Sequence, residues 1–256
     1  MDQKSLKNLA LSLSDRLLSE KEKLSSQPFK HLYIDNFLPM ELSNNILNHF
    51  PSVDNNWNFS NDSEIEIKYR TKWECEFDIP DHIINFVRIL NSSLFLKSLS
   101  NVFKIPKIIP DPYFTGGGLN VTKRNGLLDV HVDGNYHDAT GLHRRLNVIY
   151  FLNPNWQPEW KGEFGLYDNN GEHCLKKIEP INNRLVIFDT HDKSFHGYPD
   201  PILFPINDPR KSLILYYYTA DRRDIGNDVY QDPHSALWKK KNFHDKKGNL
   251  KRDKFE

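Results

Sequence analysis

The apolar positions in the first third of the chain recur at helical spacing. One run places its side chains on a single side of a helix: Leu6, Leu9, Leu13, Leu17 and Leu18. A second helix is predicted to begin near Pro39, and a third near Asp81 as its cap, with a fourth directly after it. A short strand is predicted at His31–Ile34. Residues 1–105 are therefore expected to form an N-terminal helical layer.

The pattern changes from about residue 106 onward. Short β-type runs alternate there with Gly, Pro, Asn and Asp. The runs are residues 127–132, 146–152, 163–167, 185–189 and 212–219. Short strands without helix-length patterns between them favour an antiparallel sandwich or barrel. No linker rich in Gly, Ser or Pro separates the two regions, so the helical layer is expected to pack on a β core at residues 106–222.

Composition and charge limit the choice of partners. Lys+Arg 34 balances Asp+Glu 34, so neither nucleic acid nor a membrane surface is expected as a partner. Two cysteines do not make a disulfide framework, and charged residues interrupt the apolar N-terminal run, so a cytoplasmic location without a signal peptide is expected. Residues 223–256 are predicted to be a charged, solvated C-terminal tail, and removing the residues beyond Arg222 should leave metal binding intact.

The segment from Asp129 to Gly134 carries the first candidate chemistry. Side chains alternate faces along a strand, so His131 and Asp133 would project to the same side. An imidazole and a carboxylate on one face supply two of the three ligands of a facial triad for non-haem iron. An H-x-D pair also occurs about once by chance in such a chain. Taken alone, the pair is more typical of a hydrogen-bonded surface pair.

Three further features strengthen the metal hypothesis. His196 follows the apolar run 185–188, although a core histidine is the alternative and His191 lies close by. Arg210 and Ser212 share a face at the start of a strand, where a guanidinium can bind a carboxylate in two places; an exposed arginine is the alternative. Asn147 interrupts a long apolar run and needs a polar partner unless its face is exposed.

Together these motifs resemble the 2-oxoglutarate/Fe(II)-dependent dioxygenase superfamily, and within it the prolyl-4-hydroxylase-like branch. The matching motifs are H-V-D (131–133), R-R-L-N-V-I-Y-F-L-N (144–153), W-x-x-x-W-x-G-E-F (156–164), N-R-L-V-I-F-D-T (183–190), F-H-G (195–197) and R-K-S-L-I-L-Y-Y-Y-T (210–219). They cover roughly residues 115 to 220. The resemblance implies a mainly β fold with supporting helices, in which a double-stranded β-helix, or jelly roll, packs against the N-terminal helices.

The resemblance also implies site residues and cofactors. The iron ligands would be His131, Asp133 and His196, and the co-substrates would be 2-oxoglutarate and O2. Arg210 would bind the far carboxylate of 2-oxoglutarate, with Ser212 assisting and Asn147 as a further candidate contact. Many relatives carry a tyrosine for this co-substrate on the strand before H-x-D, where this chain offers Thr122 as a substitute. Where others have a tyrosine on the strand after H-x-D, this chain has Phe151.

The implied reaction is the hydroxylation of an unactivated C–H bond coupled to conversion of 2-oxoglutarate to succinate. A carboxylate at position 133 favours hydroxylation over halogenation. The loop at residues 134–143 is expected to border the substrate, and Asn135, Tyr136, His137 and Arg144 are the candidate contacts. The substrate would be a peptide or protein, as for prolyl-4-hydroxylases, or alternatively a free amino acid, a sugar or another small metabolite. The sequence does not predict an oligomeric state.

Two alternatives belong to other classes. A non-catalytic jelly-roll module could bind carbohydrate through stacked aromatic rings, for which the candidates are Trp156, Trp160, Tyr167 and Tyr198. A zinc hydrolase could use the same three ligands. The hydrolase reading lacks an H-E-x-x-H motif and leaves Arg210 without a role.

Overall fold

The computed structural model describes residues 1–221 and 232–244. Four α-helices lie in this part of the chain: α1 (Gln3–Ser19), α2 (Met40–Asn48), α3 (Asp81–Leu90) and α4 (Ser93–Phe103). The predicted helices are present, although Pro80 rather than Asp81 precedes α3 and Ser92 caps α4 by accepting from the backbone N–H of Phe95. None of the helices in the described ranges has the length and apolar character that crossing a bilayer requires.

The remainder of the described chain forms one curled antiparallel sheet. Its strands are β1 (His31–Ile34), β2 (Trp57–Asp62), β3 (Glu66–Thr71), β4 (Ile109–Pro110), β5 (Gly118–Thr122), β6 (Leu128–Val132), β7 (His143–Phe151), β8 (Phe164–Tyr167), β9 (Cys174–Ile178), β10 (Arg184–Asp189), β11 (His196–Tyr198), β12 (Arg210–Thr219) and β13 (Leu237–Trp238). The main order is β1-β10-β7-β12-β5-β3-β6-β11-β8-β9, with β2 on β3, β4 on β12 and β13 on β6. The mainly β architecture with supporting helices agrees with the sequence prediction.

The central strands are buried on both faces, which explains their nearly continuous apolar runs. In β10, Leu185 and Ile187 join a large outer cluster that also contains Leu13 of α1 and Phe86 of α3. The alternate residues Val186 and Phe188 belong to a separate inner cluster inside the curl. A strand covered on both sides reads as an unbroken apolar run rather than an alternating one. The helices therefore cover the outer face and leave the inner face for the site.

The hairpin of β2 and β3 was not predicted, since the first third of the chain was expected to be helical apart from β1. In the sheet, β3 lies between β5 and β6. Its sequence carries Glu66, Lys68 and Arg70 on one face, so it lacks the apolar alternation by which a strand is detected. The charges on this strand matter for the site described below.

The expectation of a solvated C-terminal tail is wrong for residues 232–244. Leu237 and Trp238 are buried, and β13 adds to β6 with Trp238 opposite His131. The backbone N–H of Lys240 donates to the carboxylate of Asp129 over 2.9 Å. Residues 223–231 and 245–256 of the predicted tail lie outside the described residues.

Candidate metal centre and arginine pocket

Strand pairing brings the three predicted metal ligands together. His131 lies near the end of β6 and Asp133 directly follows that strand. His196 begins β11, and the antiparallel pairing of β11 with β6 sets it opposite His131. The two imidazole ring centroids lie 4.3 Å apart although 65 positions separate the residues along the chain. Residues that face each other across a strand pair point to the same side of the sheet.

The ligand atoms of the cluster converge on one point. One donor atom from each of His131, Asp133 and His196 lies within 4.8 Å of the other two. Asp133 Oδ1 is 3.5 Å from His131 Nε2 and 3.8 Å from His196 Nε2. Two imidazoles and one carboxylate that occupy one side of a cation match the facial triad of non-haem iron oxygenases.

Hydrogen bonds fix the orientation of both imidazoles. His131 Nδ1 lies 2.8 Å from the carbonyl oxygen of Asp129, and His196 Nδ1 lies 2.9 Å from that of Ser194. A carbonyl oxygen can only accept, so each Nδ1–H donates, and each Nε2 keeps its lone pair for a metal. This tautomer follows from the hydrogen-bond geometry, and it is the form that a divalent cation requires.

The carboxylate of Asp133 is divided between two tasks. Asn147 Nδ2 donates to its Oδ2 over 3.1 Å, and Arg144 Nη1 lies 4.0 Å from the same oxygen. This leaves Oδ1 facing the histidines. The contact that Asn147 was predicted to need is therefore the metal ligand itself.

The electrostatic surroundings of Asp133 and His196 favour the protonation states that bind a cation. Burial alone would raise the pKa of Asp133, but His196, His131 and Arg144 outweigh it and hold the pKa well below the ordinary range. Burial lowers the pKa of His196 to about 4, with His131 adding to the effect and Asp133 opposing it. A carboxylate and a neutral imidazole are the protonation states that bind a metal.

Arg210 lies in a second part of the same inner face. Its guanidinium is sandwiched between Phe151 and Tyr198, with its carbon 4.9 Å and 4.4 Å from the two ring centroids. Nε donates to the carbonyl oxygen of Gly162 over 2.9 Å, and the side chain is buried. No carboxylate in residues 1–221 or 232–244 pairs with it, and burial lowers its pKa. A buried cation of this kind needs an anion.

Tyr198 was not predicted to be a contact for 2-oxoglutarate. Its hydroxyl lies 2.9 Å from Thr122 Oγ1, and Thr122 is the residue opposite Arg210 across the β5–β12 pair. The strand β11 thus places a phenol beside both Thr122 and the guanidinium of Arg210. Position 198 is two residues after His196, so strand alternation was the available signal. Ser212 is buried and shares the face of Arg210, as predicted from alternation.

The predicted substrate contacts divide into two groups. Arg144 lies beside Asp133, and Tyr136 is partly exposed on the loop. Asn135 and His137 are buried instead. Asn135 Oδ1 accepts from the backbone N–H of His234 over 2.9 Å, and His137 Nε2 lies 3.2 Å from the carboxylate of Asp111. Both of these side chains are held by contacts within the protein, and their contact with a substrate stays a prediction.

The candidate aromatic residues do not form a single sugar-stacking platform. Trp156 and Trp160 pack in one small apolar cluster with Tyr198, and Tyr167 packs against another. Trp160 is 5.3 Å from Phe204 between ring centroids, and the indole N–H of Trp156 donates to a backbone carbonyl. These rings pack against separate apolar neighbours, and Trp156, Trp160 and Tyr167 are partly exposed.

The chain is similar to known proteins in its sequence pattern and in its fold. Residues 117–218 match the family model described as the 2OG-Fe(II) oxygenase superfamily. The fold is similar to that of a Trichoplax adhaerens prolyl hydroxylase solved with a hypoxia inducible factor peptide (TM-score 0.54, 17% identity, 85% of this chain and 94% of that chain). It is also similar to that of a Pseudomonas putida prolyl-4-hydroxylase (TM-score 0.55, 13% identity, 80% of this chain and 98% of that chain).

A third similar structure is HygX from Streptomyces hygroscopicus, solved with nickel, 2-oxoglutarate and hygromycin B bound (TM-score 0.51, 12% identity, 89% of this chain and 98% of that chain). At these identities the likeness shows the fold. The predicted jelly roll with supporting helices is confirmed.

Proposed function

We propose that this chain, whose residues 117–218 match the 2OG-Fe(II) oxygenase superfamily model, is a dioxygenase that uses iron, 2-oxoglutarate and O2 to hydroxylate an unactivated C–H bond. Iron held by His131, Asp133 and His196 would supply the chemistry in which 2-oxoglutarate and O2 become succinate and CO2, with one oxygen atom passed to the substrate. The protein supplies ligands, orientation and a water-poor interior. A carbohydrate-binding module without catalysis would leave the metal-ligand cluster and the buried guanidinium of Arg210 without a role.

One observation supports the proposal most directly. The inner face of the sheet carries a metal-ligand cluster and a buried guanidinium without a carboxylate partner in the described ranges. Phe151 packs on Arg210 and belongs to the same inner cluster as Phe188, whose ring lies 4.8 Å from that of His196. The two features therefore share one interior, as a ligand that is chelated at one end and anionic at the other requires.

The residues of this chain have separate tasks in the proposed reaction. Asp133, held by Asn147, presents one oxygen to the metal, and the two histidines present Nε2. Arg210 binds the far carboxylate of 2-oxoglutarate, with Ser212 and the pair of Thr122 and Tyr198 lining that pocket. The apolar side chains around Arg210 exclude water, which strengthens the ionic contact.

The substrate class is a finer part of the proposal. The motifs and two of the similar structures favour a prolyl residue of a peptide or protein. A small metabolite is the second candidate, because HygX, which has the same fold, was solved with hygromycin B bound. The balanced charge of the chain favours neither nucleic acid nor a membrane as the partner.

The proposal is tested by conversion of 2-oxoglutarate to succinate without added substrate. The wild-type protein with Fe(II) should form succinate slowly, and Asp133→Ala should reduce this to the level without protein because a metal ligand is lost. Asp15→Ala, an exposed change on α1, is the matched control and should behave as the wild type. Succinate formation by the Asp133→Ala variant at the wild-type rate would refute the proposed centre.

Arg210 is tested by the concentration of 2-oxoglutarate needed for half-maximal turnover. Arg210→Ala should raise that KM by about tenfold to a thousandfold, as loss of a charged hydrogen-bonding partner worth roughly 1.5 to 4 kcal/mol implies. Metal affinity should stay close to that of the wild type. A fall in Fe(II) affinity as large as that of His131→Ala would contradict the assigned role.

A further inference from the structure

We infer that the substrate carries an anionic group, a carboxylate or a phosphate, that binds beside the metal centre. The inference rests on the proposed function and names the substrate chemistry of that site. It is carried by three cationic side chains, Lys68, Arg70 and Arg144, which are termed the cationic wall below. Two of them lie on β3, the strand that the hydrophobic pattern did not predict.

Strand register places Arg70 on the inner face. Arg70 of β3 lies opposite Asn120 of β5, and Asn120 lies opposite Ser212 of β12. Residues directly opposite each other in antiparallel pairs point to the same face. Arg70 therefore faces the interior that also contains Ser212. Arg210, two residues before Ser212 on β12, faces the same interior. Lys68 has the same parity on β3, and its positive charge contributes to lowering the pKa of His196.

A chain of contacts leads from the metal centre to Arg70. Arg144 Nη1 is 4.0 Å from Asp133 Oδ2, and the Arg144 guanidinium carbon lies 3.9 Å from the ring centroid of Tyr216. Arg70 Nη1 lies 3.5 Å from the carbonyl oxygen of Gly116. A Cβ built on Gly116 would meet Tyr216 Cε2 at 3.3 Å and Arg70 Nη1 at 3.8 Å. The guanidinium of Arg144 thus stacks on the phenol ring of Tyr216, and that of Arg70 lies beside Gly116, next to which the same ring passes.

Both positive charges also influence the hydroxyl of Tyr216. Burial raises the pKa of Tyr216 and Asp133 adds to the rise, whereas the positive charges of Arg144 and Arg70 oppose it. A ligand beside this ring would therefore meet two guanidinium groups. Guanidinium is the side-chain group whose planar donors best match carboxylate and phosphate oxygens.

The charges of the site are balanced without the wall. The two positive charges of the iron and one of Arg210 offset the one negative charge of Asp133 and the two of 2-oxoglutarate. Lys68 has Glu66 as its counter-charge, 4.0 Å away. Arg70 has no carboxylate partner among residues 1–221 and 232–244, and Gly116 supplies its hydrogen bond. A substrate anion would complement the positive charge of Arg70.

Two buried amide oxygens also indicate that a ligand completes this face. Asn120 Oδ1 and Asn147 Oδ1 accept no hydrogen bond from the described residues, and both side chains are buried. Asn120 lies directly opposite Arg70, and Asn147 directly opposite Tyr216. Buried acceptors are nearly always satisfied, so a ligand N–H or O–H in this interior accounts for them. The substrate would then combine an acidic group with a hydrogen-bond donor.

The experiment measures binding rather than turnover. The full-length protein, loaded with Ni(II) and saturating 2-oxoglutarate, is titrated calorimetrically with two pairs of probes: N-acetylglycine against N-acetylglycinamide, and glycerol phosphate against glycerol. The anionic member of at least one pair should bind about tenfold more tightly or better. The pair with the larger difference distinguishes carboxylate from phosphate. Equal affinity within both pairs, or no binding by either anion, would overturn the inference.

Variants locate the effect. Arg70→Gln should remove most of the difference in affinity between the anionic probe and its neutral partner. Arg70→Lys should keep part of that difference because the positive charge remains. Lys123→Gln is the matched control, since Lys123 is an exposed cation near the same strand. Its ammonium group lies 4.7 Å from the ring centroid of Tyr69, the residue before Arg70 on β3. An Arg70→Gln variant that stays folded and keeps the full discrimination would contradict the assignment to Arg70.

The same titration separates the two levels of the proposal. A protein that does not bind 2-oxoglutarate in the presence of Ni(II) fails as an oxygenase of the proposed kind. A protein that binds 2-oxoglutarate but treats each anion like its neutral partner fails only the present inference, and the proposed function stands.

Discussion

At the scale of single residues, the site depends on how each ligand is held by its neighbours. The backbone carbonyls of Asp129 and Ser194 set the tautomer of the two histidines, and Asn147 occupies the oxygen of Asp133 that turns away from them. Such contacts orient a ligand before the metal arrives, which lowers the cost of ordering it during binding. The effect of removing one of them should therefore appear in metal affinity.

Asn147→Ala should weaken metal binding by about tenfold to a hundredfold, the usual cost of losing a partner of a ligand. The physical reason is that Asp133 Oδ2 loses its 3.1 Å hydrogen bond and the carboxylate can rotate. Calorimetric titration with Ni(II) measures the change. Asn58→Ala, an exposed change on β2, is the control. Equal Ni(II) affinity for wild type and Asn147→Ala would show that Asp133 is positioned without Asn147.

Tyr198→Phe should raise the KM for 2-oxoglutarate by about twofold to tenfold, because one neutral hydrogen bond contributes roughly 0.5 to 1.5 kcal/mol. The hydroxyl removed lies 2.9 Å from Thr122 Oγ1 and beside the guanidinium of Arg210. Thr122→Val removes the other half of the pair. If the two hydroxyls act as one unit, the double variant should cost little more than either single variant.

Sequence alternation predicts that His131 shares a face with Asp133 and that His196 shares a face with Tyr198, but it does not predict that the two strands lie side by side. His131 and Asp133 are two positions apart on one strand edge, so a local rule places them together. The role of Tyr198 depends on β11 lying beside β6 and on Thr122 reaching it from β5, and these are pairings between distant parts of the chain. No local pattern encodes them.

At the scale of elements, the strand β13 bears directly on the metal centre. The ring of Trp238 stacks on that of His131 with centroids 4.5 Å apart and planes at 21°. His234 Nε2 lies 3.1 Å from Asp192 Oδ1, and the His234 backbone N–H donates to Asn135. The three lysines that follow Trp238 made this segment resemble a solvated tail, whereas its fold depends on tertiary contacts with β6.

Ending the chain after residue 231 should weaken metal binding and lower the melting temperature, in contrast to the expectation from sequence. The truncation removes the ring that packs on His131 and exposes the edge of β6. Trp238→Ala alone should cost about 3 to 5 kcal/mol of stability, as the loss of a buried large aromatic side chain usually does.

The matched control ends the chain after His244, which keeps the pairing of β13 with β6 and the ring of Trp238 on His131. Thermal unfolding with and without Ni(II) measures both effects. A protein ending at residue 231 that binds Ni(II) like the protein ending at residue 244 would show that β13 does not support the ligand.

The hairpin of β2 and β3 shows why function can hide an element from sequence analysis. Glu66, Lys68 and Arg70 occupy the inner face of β3, where an ordinary strand of a buried sheet would carry apolar residues. The alternation rule detects strands by their apolar face. A strand whose inner face is charged to meet a ligand therefore reads as a polar loop, and this is the strand that carries the cationic wall.

At the scale of the whole molecule, the helices and the sheet share one core. The largest apolar cluster joins Leu13 of α1, Phe86 of α3 and Phe95 of α4 to Tyr150 of β7 and Tyr217 of β12. Tyr150 also donates from its hydroxyl to Ser43 of α2 over 2.8 Å. The sheet itself needs the first third of the chain, since β3 lies between β5 and β6 and β1 pairs with β10.

A fragment consisting of residues 106–244 should therefore fail to form a stable fold, even though it contains all three metal ligands and Arg210. Its outer face would expose the apolar side chains that α1, α3 and α4 cover, and the place of β3 between β5 and β6 would be empty. Buried apolar area is the main stabilising contribution to a domain, and an open strand edge invites aggregation.

Near-ultraviolet circular dichroism and thermal unfolding measure whether the fragment folds. We expect no cooperative transition for the fragment and a single one for the full chain, with the transition of the full chain raised by Ni(II) and 2-oxoglutarate. A fragment that unfolds cooperatively and binds Ni(II) with the affinity of the full chain would show that the jelly roll is stable without its helical layer, and that the contacts between them contribute little to the site.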